Sequence, residues 1–480
     1  MKGYRRHAAF YAAMRWLLAP VLKGYFHFSP APAPGVDGSA IVIANHTTDF
    51  DALFVALSFP KQMYYVASEH IFRAPFLRAF FDCMLAPIPK RKGGADVATA
   101  MQMVRRLRAG HNVMLFAEGN KSFDGMPCPV HPATGGMVRA SGATLVTYRL
   151  TGGYFTHPRW ARTLRRGSMA GTPVGVYAPA MLAAMTDAQV NRLIAGDIAE
   201  DAYARQQAEN IPYRGKRLAE GIENVLYLCP ACGALGRIRG QGDAFACDCG
   251  LRGQYLPTGY LHGDALPFDT LKSWCAWQRE ELGRRLAADA AGMRPAAQEK
   301  TAPASSEKMP VPVGDTPAQS GHPVPDMLPP TREVQQSRPD AQLPIPIAEL
   351  PLQAMQPSAH GAQTPAQSVH PVPDTQPPEP PARPPCSPPL LQDAGQTLIR
   401  ILPDHTTEPV AEGTLSLTAD GLACGAFFLP LHDVQGLEIY GRSTLVFSDG
   451  AGGRYQVRSA VERSGLKYFE GYQMLRERGN

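Results

Sequence analysis

VIANHTTDFDAL, residues 42–53, carries the reading of the whole chain. An apolar run stops at Asn45 and His46, and two acids, Asp49 and Asp51, follow within five positions. A continuous apolar stretch of this length reads as a strand buried on both faces, as in a parallel sheet. The acids and threonines then open a helix over Asp51–Leu57, with Thr48 or Asp49 as its N-cap. The histidine has two readings here. It is part of a turn and cap, or it is a general base with a carboxylate partner. Working outward, strands are predicted at Ser39–Ala44, Gln62–Ala67, Asn112–Ala117, Ala143–Leu150 and Pro173–Tyr177. Helices are predicted at Pro75–Leu85 and Asp96–Ala109, and residues 180–225 read as helical and more polar. Strands alternating with helices predict an α/β fold, a central, mostly parallel sheet flanked by helices.

The chain has 480 residues, 44% hydrophobic and 19% charged, enough for several domains. Its formal charge of +5 is unevenly spread. Residues 1–36 hold no acid and carry Lys2, Arg5, Arg6, Arg15 and Lys23. A basic, aromatic segment of this kind suits an anionic membrane surface better than nucleic acid, which is not expected as a partner. Residues 4–22 read as an amphipathic helix with Phe10, Met14, Leu17 and Val21 on one face. That face either lies on a bilayer or packs on a core. No stretch reaches the ~20 apolar residues of a membrane span, and no signal-peptide pattern is evident. Nine cysteines, four of them in two close pairs, suit a reducing compartment. The expected location is cytoplasmic, peripheral on the inner face of the cell membrane.

Composition divides the chain further. Residues 1–34 are the predicted membrane-associating helix, and 35–225 the α/β domain. Residues 226–290 are a cysteine-bearing segment and a helix. Residues 291–393 are dense in Pro, Gln and Ala, and TPAQSGHPVPDMLPP (316–330) recurs there as TPAQSVHPVPDTQPP (364–378). Such a tract buries no core and is expected to be extended or disordered. Residues 394–480 return to short β-rich runs and a closing helix near 465–475. They are expected to form a small antiparallel barrel or roll, with a pleckstrin-homology-like module as one example.

His46 and Asp51 alone prove little, since thirteen histidines make about one such spacing by chance. Context adds weight. The histidine ends a buried strand, where α/β sheets bind ligands. A carboxylate on one ring nitrogen fixes the tautomer and leaves the other nitrogen to take a proton. Downstream, Glu118 and Gly119 follow the strand Asn112–Ala117, and Asn120, Lys121 and Ser122 come next. Earlier, Lys90, Arg91 and Lys92 follow a Pro-Ile-Pro turn and suit phosphate capture.

This ordered set resembles the glycerolipid acyltransferase family, whose best-known members are the lysophosphatidic acid acyltransferases. NHTTDFD is similar to its Asn-His-x-Ser-x-x-Asp block, with Thr48 in the serine place and Asp49 incidental. IPKR resembles the second block, and FAEGNKS the Phe-Pro-Glu-Gly-Thr-Arg-Ser block, with Ala117, Asn120 and Lys121 as departures. The fourth block has only LVTYRLTGGYFTHPRW in its place. The likeness covers roughly 35–180. It implies His46 as general base and Asp51 as its orienting partner. It implies substrate binding by Arg91, Glu118, Gly119, Asn120 and Lys121. The acyl donor would be acyl-CoA or acyl-carrier protein, and the acceptor a lysophospholipid such as 1-acylglycerol-3-phosphate. No cofactor is expected for the chemistry. The run Arg159, Arg162, Arg165 and Arg166 is a further phosphate candidate or simply exposed. A non-catalytic lipid-binding adaptor and a thioester hydrolase remain as alternatives on the same fold.

Cys229 and Cys232 (CPAC) and Cys247 and Cys249 (CDCG) are separated by fourteen intervening residues. Paired thiolates across a short β-like loop read as a zinc ribbon with a structural zinc. The second pair is one residue shorter than the usual knuckle.

Overall fold

A computed structural model describes residues 3–68, 83–90, 97–290, 387–402, 406–460 and 463–479. Arg91, Lys92, most of the helix expected at 75–85 and nearly all of the Pro-rich tract lie outside the described residues.

The first sheet has seven strands. β1 is Phe28–Pro30, β2 Ala40–Ala44, β3 Met63–Ser68, β4 Ile88–Lys90, β5 Asn112–Phe116, β6 Thr144–Thr151 and β7 Met169–Tyr177. Their order is β1-β7-β6-β2-β5-β3-β4. Strands β6, β2, β5, β3 and β4 run parallel, β7 pairs antiparallel with β6, and β1 pairs parallel with β7. β2 is central and fully buried, as its unbroken AIVIA run requires. Its side chains alternate between two cores. Ile41 and Ile43 face one core, with Met103 and Leu107 of helix α3 (Val97–Arg108) and Val138 of α4 (Thr134–Ser141). Ala40, Val42 and Ala44 face the other, with Leu22 and Phe26 of α1 (Tyr4–Phe26) and Phe54 and Val55 of α2 (Asp51–Ser58).

Helix α1 packs on the core through one stripe and leaves another exposed. His7, Tyr11, Leu22 and Phe26 are buried, and the Tyr11 hydroxyl donates to the Phe59 carbonyl at 2.9 Å. Arg15 in the same stripe donates to the carbonyls of Ala56 and Leu57. Trp16, Leu17, Val21 and Tyr25 stay exposed. Leu17 and Val21 of the expected apolar face are therefore left open, and a parallel stripe packs instead.

The cysteine segment carries a four-stranded antiparallel sheet, with β8 (Ile238–Gln241), β9 (Ala244–Cys247), β10 (Arg252–Tyr255) and β11 (Leu261–His262) in the order β11-β10-β9-β8. The long helix Leu271–Ala290 follows. The C-terminal part is a second, all-antiparallel seven-stranded sheet. β12 is Leu391–Ile401, β13 Thr407–Leu417, β14 Gly421–Cys424, β15 Phe427–Pro430, β16 Gln435–Tyr440, β17 Thr444–Ser448 and β18 Arg454–Ser459. In the order β15-β14-β13-β12-β18-β17-β16, β16 is an edge strand. The terminal helix Leu466–Gly479 packs on this sheet, with Tyr468 and Tyr472 donating to the carbonyls of Leu415 and Val434. It also meets the rest of the protein. Glu470 accepts from the Tyr227 hydroxyl at 2.5 Å and from Arg279 at 3.1 Å, and Arg279 reaches Asp124 at 3.5 Å.

Candidate active site

Parallel strands aim their carboxyl ends at one edge of a sheet, so the loops that leave them meet there. His46 follows β2, Glu118 and Lys121 follow β5, and Lys90 ends β4. At the end of β2 the sheet ladder continues through a side chain. The Asn45 amide donates to the Leu150 carbonyl at 2.8 Å and accepts from the Leu150 N–H at 2.7 Å. The backbone is thereby free to turn while His46 stays fixed to β6.

Helix α2 begins at Asp51, which is wholly buried. The Asp51 carboxylate accepts from the backbone N–H groups of Thr47 (2.5 Å) and Thr48 (2.8 Å). The hydroxyls of Thr48 (2.7 Å) and Thr47 (3.1 Å) also reach it. The fifth partner is His46 Nδ1 at 2.8 Å. With an acid as partner, Nδ1 carries the proton and Nε2 is left as the acceptor. The imidazole is one-quarter exposed and stacks on Phe116, with ring centroids 4.3 Å apart at 15°. Thr47 fits only because residue 153 is glycine. A Cβ there would stand 2.0 Å from Thr47 Oγ1. The cap expected at Thr48 or Asp49 is not formed. Phe50 is the N-cap, without a side-chain bond, and Thr48 Oγ1 instead accepts from the Phe50 N–H.

The turn after β5 serves a different purpose. Gly119 supplies the positive φ (68°) that the turn needs. Glu118 turns back on the protein. It accepts from the His46 N–H at 2.7 Å and from the Cys128 N–H at 3.1 Å. Burial pushes its carboxyl up to about 8, against the lowering effect of those two bonds. Nearby Glu200 accepts from the Gly152 N–H at 2.6 Å, and burial raises it to about 7. Glu118 and Glu200 border a water-sized cavity of about 20 Å³ beneath His46.

A larger pocket, about 360 Å³, also borders His46. His46, Lys90, Gly119, Asn120 and Lys121 line it together with Val66, Ala67, Leu115 and Phe116. Asp49 is not incidental there. It pairs with Lys121 at 2.5 Å and stands 3.4 Å from His157 Nδ1. Burial lowers the Lys121 ammonium, while Asp49 opposes that shift. Of the expected set, His46, Asp51, Glu118, Gly119, Asn120 and Lys121 come together at one strand edge, but Glu118 does not face the larger pocket. Arg91 lies outside the described residues.

Half of the arginine run is exposed, Arg162 and Arg166. Arg159 and Arg165 are buried. Arg159 donates to the carbonyls of Lys121 (3.0 Å), Ile439 (2.6 Å) and Gly441 (2.9 Å) and lies over the Phe123 ring. Desolvation lowers it to about 10. Arg165 is enclosed by Trp160 and Tyr255. The structural roles of Asn45, Glu200 and Arg159 escaped the sequence reading because their partners are far along the chain. The polar residue ending the strand was the one available signal, for Asn45.

Residues 27–151 match the sequence profile of the Acyltransferase family. That segment is an acyltransferase-family domain. No curated protein sequence matches the chain. A solved structure similar to it is the 1-acyl-sn-glycerophosphate (LPA) acyltransferase PlsC from Thermotoga maritima. It is 15% identical, covers 41% of this chain and 82% of its own, and has a TM-score of 0.34.

Outside the acyltransferase domain, Cys229, Cys232, Cys247 and Cys249 converge. Their sulfurs all lie within 4.8 Å of one another. Cys229 and Cys249 are 3.7 Å apart, and Cys232 and Cys247 3.8 Å. Four thiolates around a tetrahedral ion at about 2.3 Å would stand about 3.8 Å apart, so the cluster fits a metal ion. Among the described residues no helix is long and apolar enough to cross a membrane.

Proposed function

We propose that the protein transfers a fatty acyl group from an acyl thioester to the hydroxyl of a lysophospholipid at a membrane surface. The observation that carries this reading is the His46–Asp51 pair, placed at the mouth of a cation-bearing pocket in an acyltransferase-family domain. His46 Nε2 takes the proton of the acceptor hydroxyl as its oxygen attacks the thioester carbonyl. Asp51 holds the ring and stabilises the imidazolium that forms. The tetrahedral adduct collapses, the C–S bond breaks, and the thiolate leaves with the proton from His46. Base catalysis of this kind supplies about 10²–10⁴-fold. Lys90 and Lys121 meet the acceptor's phosphate. The apolar wall of Val66, Ala67, Leu115 and Phe116 takes the acyl end. Of such acceptors, 1-acylglycerol-3-phosphate is the one to which the sequence blocks point. The donor is acyl-CoA or acyl-carrier protein.

Glu118, read from the sequence as a substrate ligand, acts here as a clamp on His46. The exposed Trp16, Leu17, Val21 and Tyr25 of α1 lie against the bilayer, an arrangement suited to an interfacial helix. The four cysteines hold a structural zinc, which would tie the loops of the small sheet together.

The test is to incubate purified protein with each thioester donor and a panel of lysolipids on anionic vesicles, and to read the products by mass. Diacyl product with loss of thioester is expected. Thioester loss without an acylated lipid would replace this reading with a hydrolase, and no turnover with retained vesicle binding would replace it with a lipid-binding adaptor.

A further inference from the structure

The larger pocket is not closed by the acyltransferase domain. Its remaining wall comes from residues nearly three hundred positions away, Glu438, Tyr440 and Gly441, at the end of β16. Two features of β16 explain why. As an edge strand it keeps carbonyls that its own sheet does not pair; Arg159 takes that of Ile439 and, just past the strand, that of Gly441. Along the strand, Leu437 and Ile439 are buried in their own domain's core, whereas Glu438 and Tyr440 are only partly buried. The two-residue period therefore turns Glu438 and Tyr440 together to the face that meets the pocket. Because the guanidinium that fixes this wall also holds the Lys121 carbonyl, wall and candidate phosphate loop are set relative to each other by one side chain. The Asp124–Arg279–Glu470 chain makes a second fastening.

We infer that β16 determines which lysolipid headgroup the enzyme accepts, with Glu438 and Tyr440 as the specificity-determining residues. This rests on the acyltransferase reading above, but it moves the favoured acceptor from the phosphate monoester to a phosphodiester. The wall is polar and lines one pocket with the cations Lys90 and Lys121. It therefore addresses the headgroup and not the chain. The lining holds the cations Lys90, Lys121 and Arg159 and the carboxylates Asp49 and Glu438; Asp49 pairs with Lys121, and Glu438 is the carboxylate that β16 adds. A carboxylate repels the dianion of a bare phosphate monoester and attracts an ammonium or hydroxyl donor. Glu438 thus biases the pocket toward a phosphodiester headgroup that carries such a donor, and Tyr440 offers that headgroup a phenol.

The experiment uses the full chain with one acyl donor and three acceptors. These are 1-acylglycerol-3-phosphate, lysophosphatidylglycerol and lysophosphatidylethanolamine, all with the same acyl chain. In the wild type, kcat/KM is measured for each, and the ratios are then compared in Glu438→Gln. Removing the charge is expected to move the ratio of monoester to ethanolamine acceptor by roughly tenfold toward the monoester. Preference among acyl chain lengths should not move. Tyr440→Phe, which keeps the ring, is the second variant and is expected to lower use of the two diester acceptors severalfold relative to the monoester. Ratios within twofold of wild type in both variants would overturn the inference and leave the acyltransferase reading standing. Failure of the wild type to acylate any acceptor would remove both.

Discussion

The turn after β2 and the turn after β5 look alike in the sequence. Each ends an apolar strand of the acyltransferase domain with a short polar block, and each holds an acid. The structure uses them in opposite ways. In the first, the acid folds onto its own turn, and Asp51 gathers His46, Thr47 and Thr48 within five residues. In the second, the acid reaches across the sheet. Glu118 holds the backbone of His46, 72 positions earlier, and Lys121 is occupied by Asp49 over the same span. One turn builds the candidate base and the other holds it in place. Contacts made within a turn follow from spacing, whereas contacts made between strands need the sheet order.

The largest effect is expected at Asp51. Five donors converge on its carboxylate, so Asp51→Asn sets an amide N–H₂ against at least one of them and favours the wrong imidazole tautomer. A fall in kcat of about 10³-fold is expected, measured by steady-state acyl transfer. Next in size is Lys121→Met. If the second turn binds and does not react, KM for a phosphate acceptor should rise by roughly tenfold with kcat nearly unchanged. Lys121→Arg should recover most of that loss.

Glu118→Gln sharpens the comparison through pH. The unfolded chain releases this proton near 4.5, the folded chain only near 8. Between those values the folded state holds more protons, so stability falls as pH rises. Glu200, raised to about 7, acts in the same sense. The glutamine variant should show a flatter loss of stability from about pH 4.5 to 8 by denaturant titration, with a residual slope from Glu200 and only a severalfold change in rate. An unchanged slope would remove the claim that Glu118 is a buried clamp. The smallest effect on catalysis belongs to the cysteine cluster, which contributes nothing to the pocket. Cys232→Ser, or chelation, should lower the thermal midpoint on the order of 10 °C. Below that midpoint kcat/KM should stay within about twofold.

The same rule of range explains what was readable. β2, β3, β5 and β6 show in their apolar runs, and their parallel pairing follows from the helices between them. β1 is three residues long and leaves no periodic signal. The antiparallel return of β7 cannot be told from its composition. In α1, Phe10, Met14, Leu17 and Val21 stand out as an apolar face, yet the protein buries the stripe of His7, Tyr11, Leu22 and Phe26. A histidine and an arginine obscured that stripe, although both find partners in the fold. The joining of Arg159 to Ile439, 280 positions apart, has no sequence signature at all.

Everything above turns on whether the His46 imidazole removes the acceptor's proton. The direct measurement is the rate of acyl transfer by His46→Ala beside that of wild type, with thermal unfolding followed on both. A loss of at least 10²-fold with an unfolding midpoint close to wild type is predicted. A folded His46→Ala protein that still transfers acyl groups within a fewfold of the wild-type rate would contradict the account.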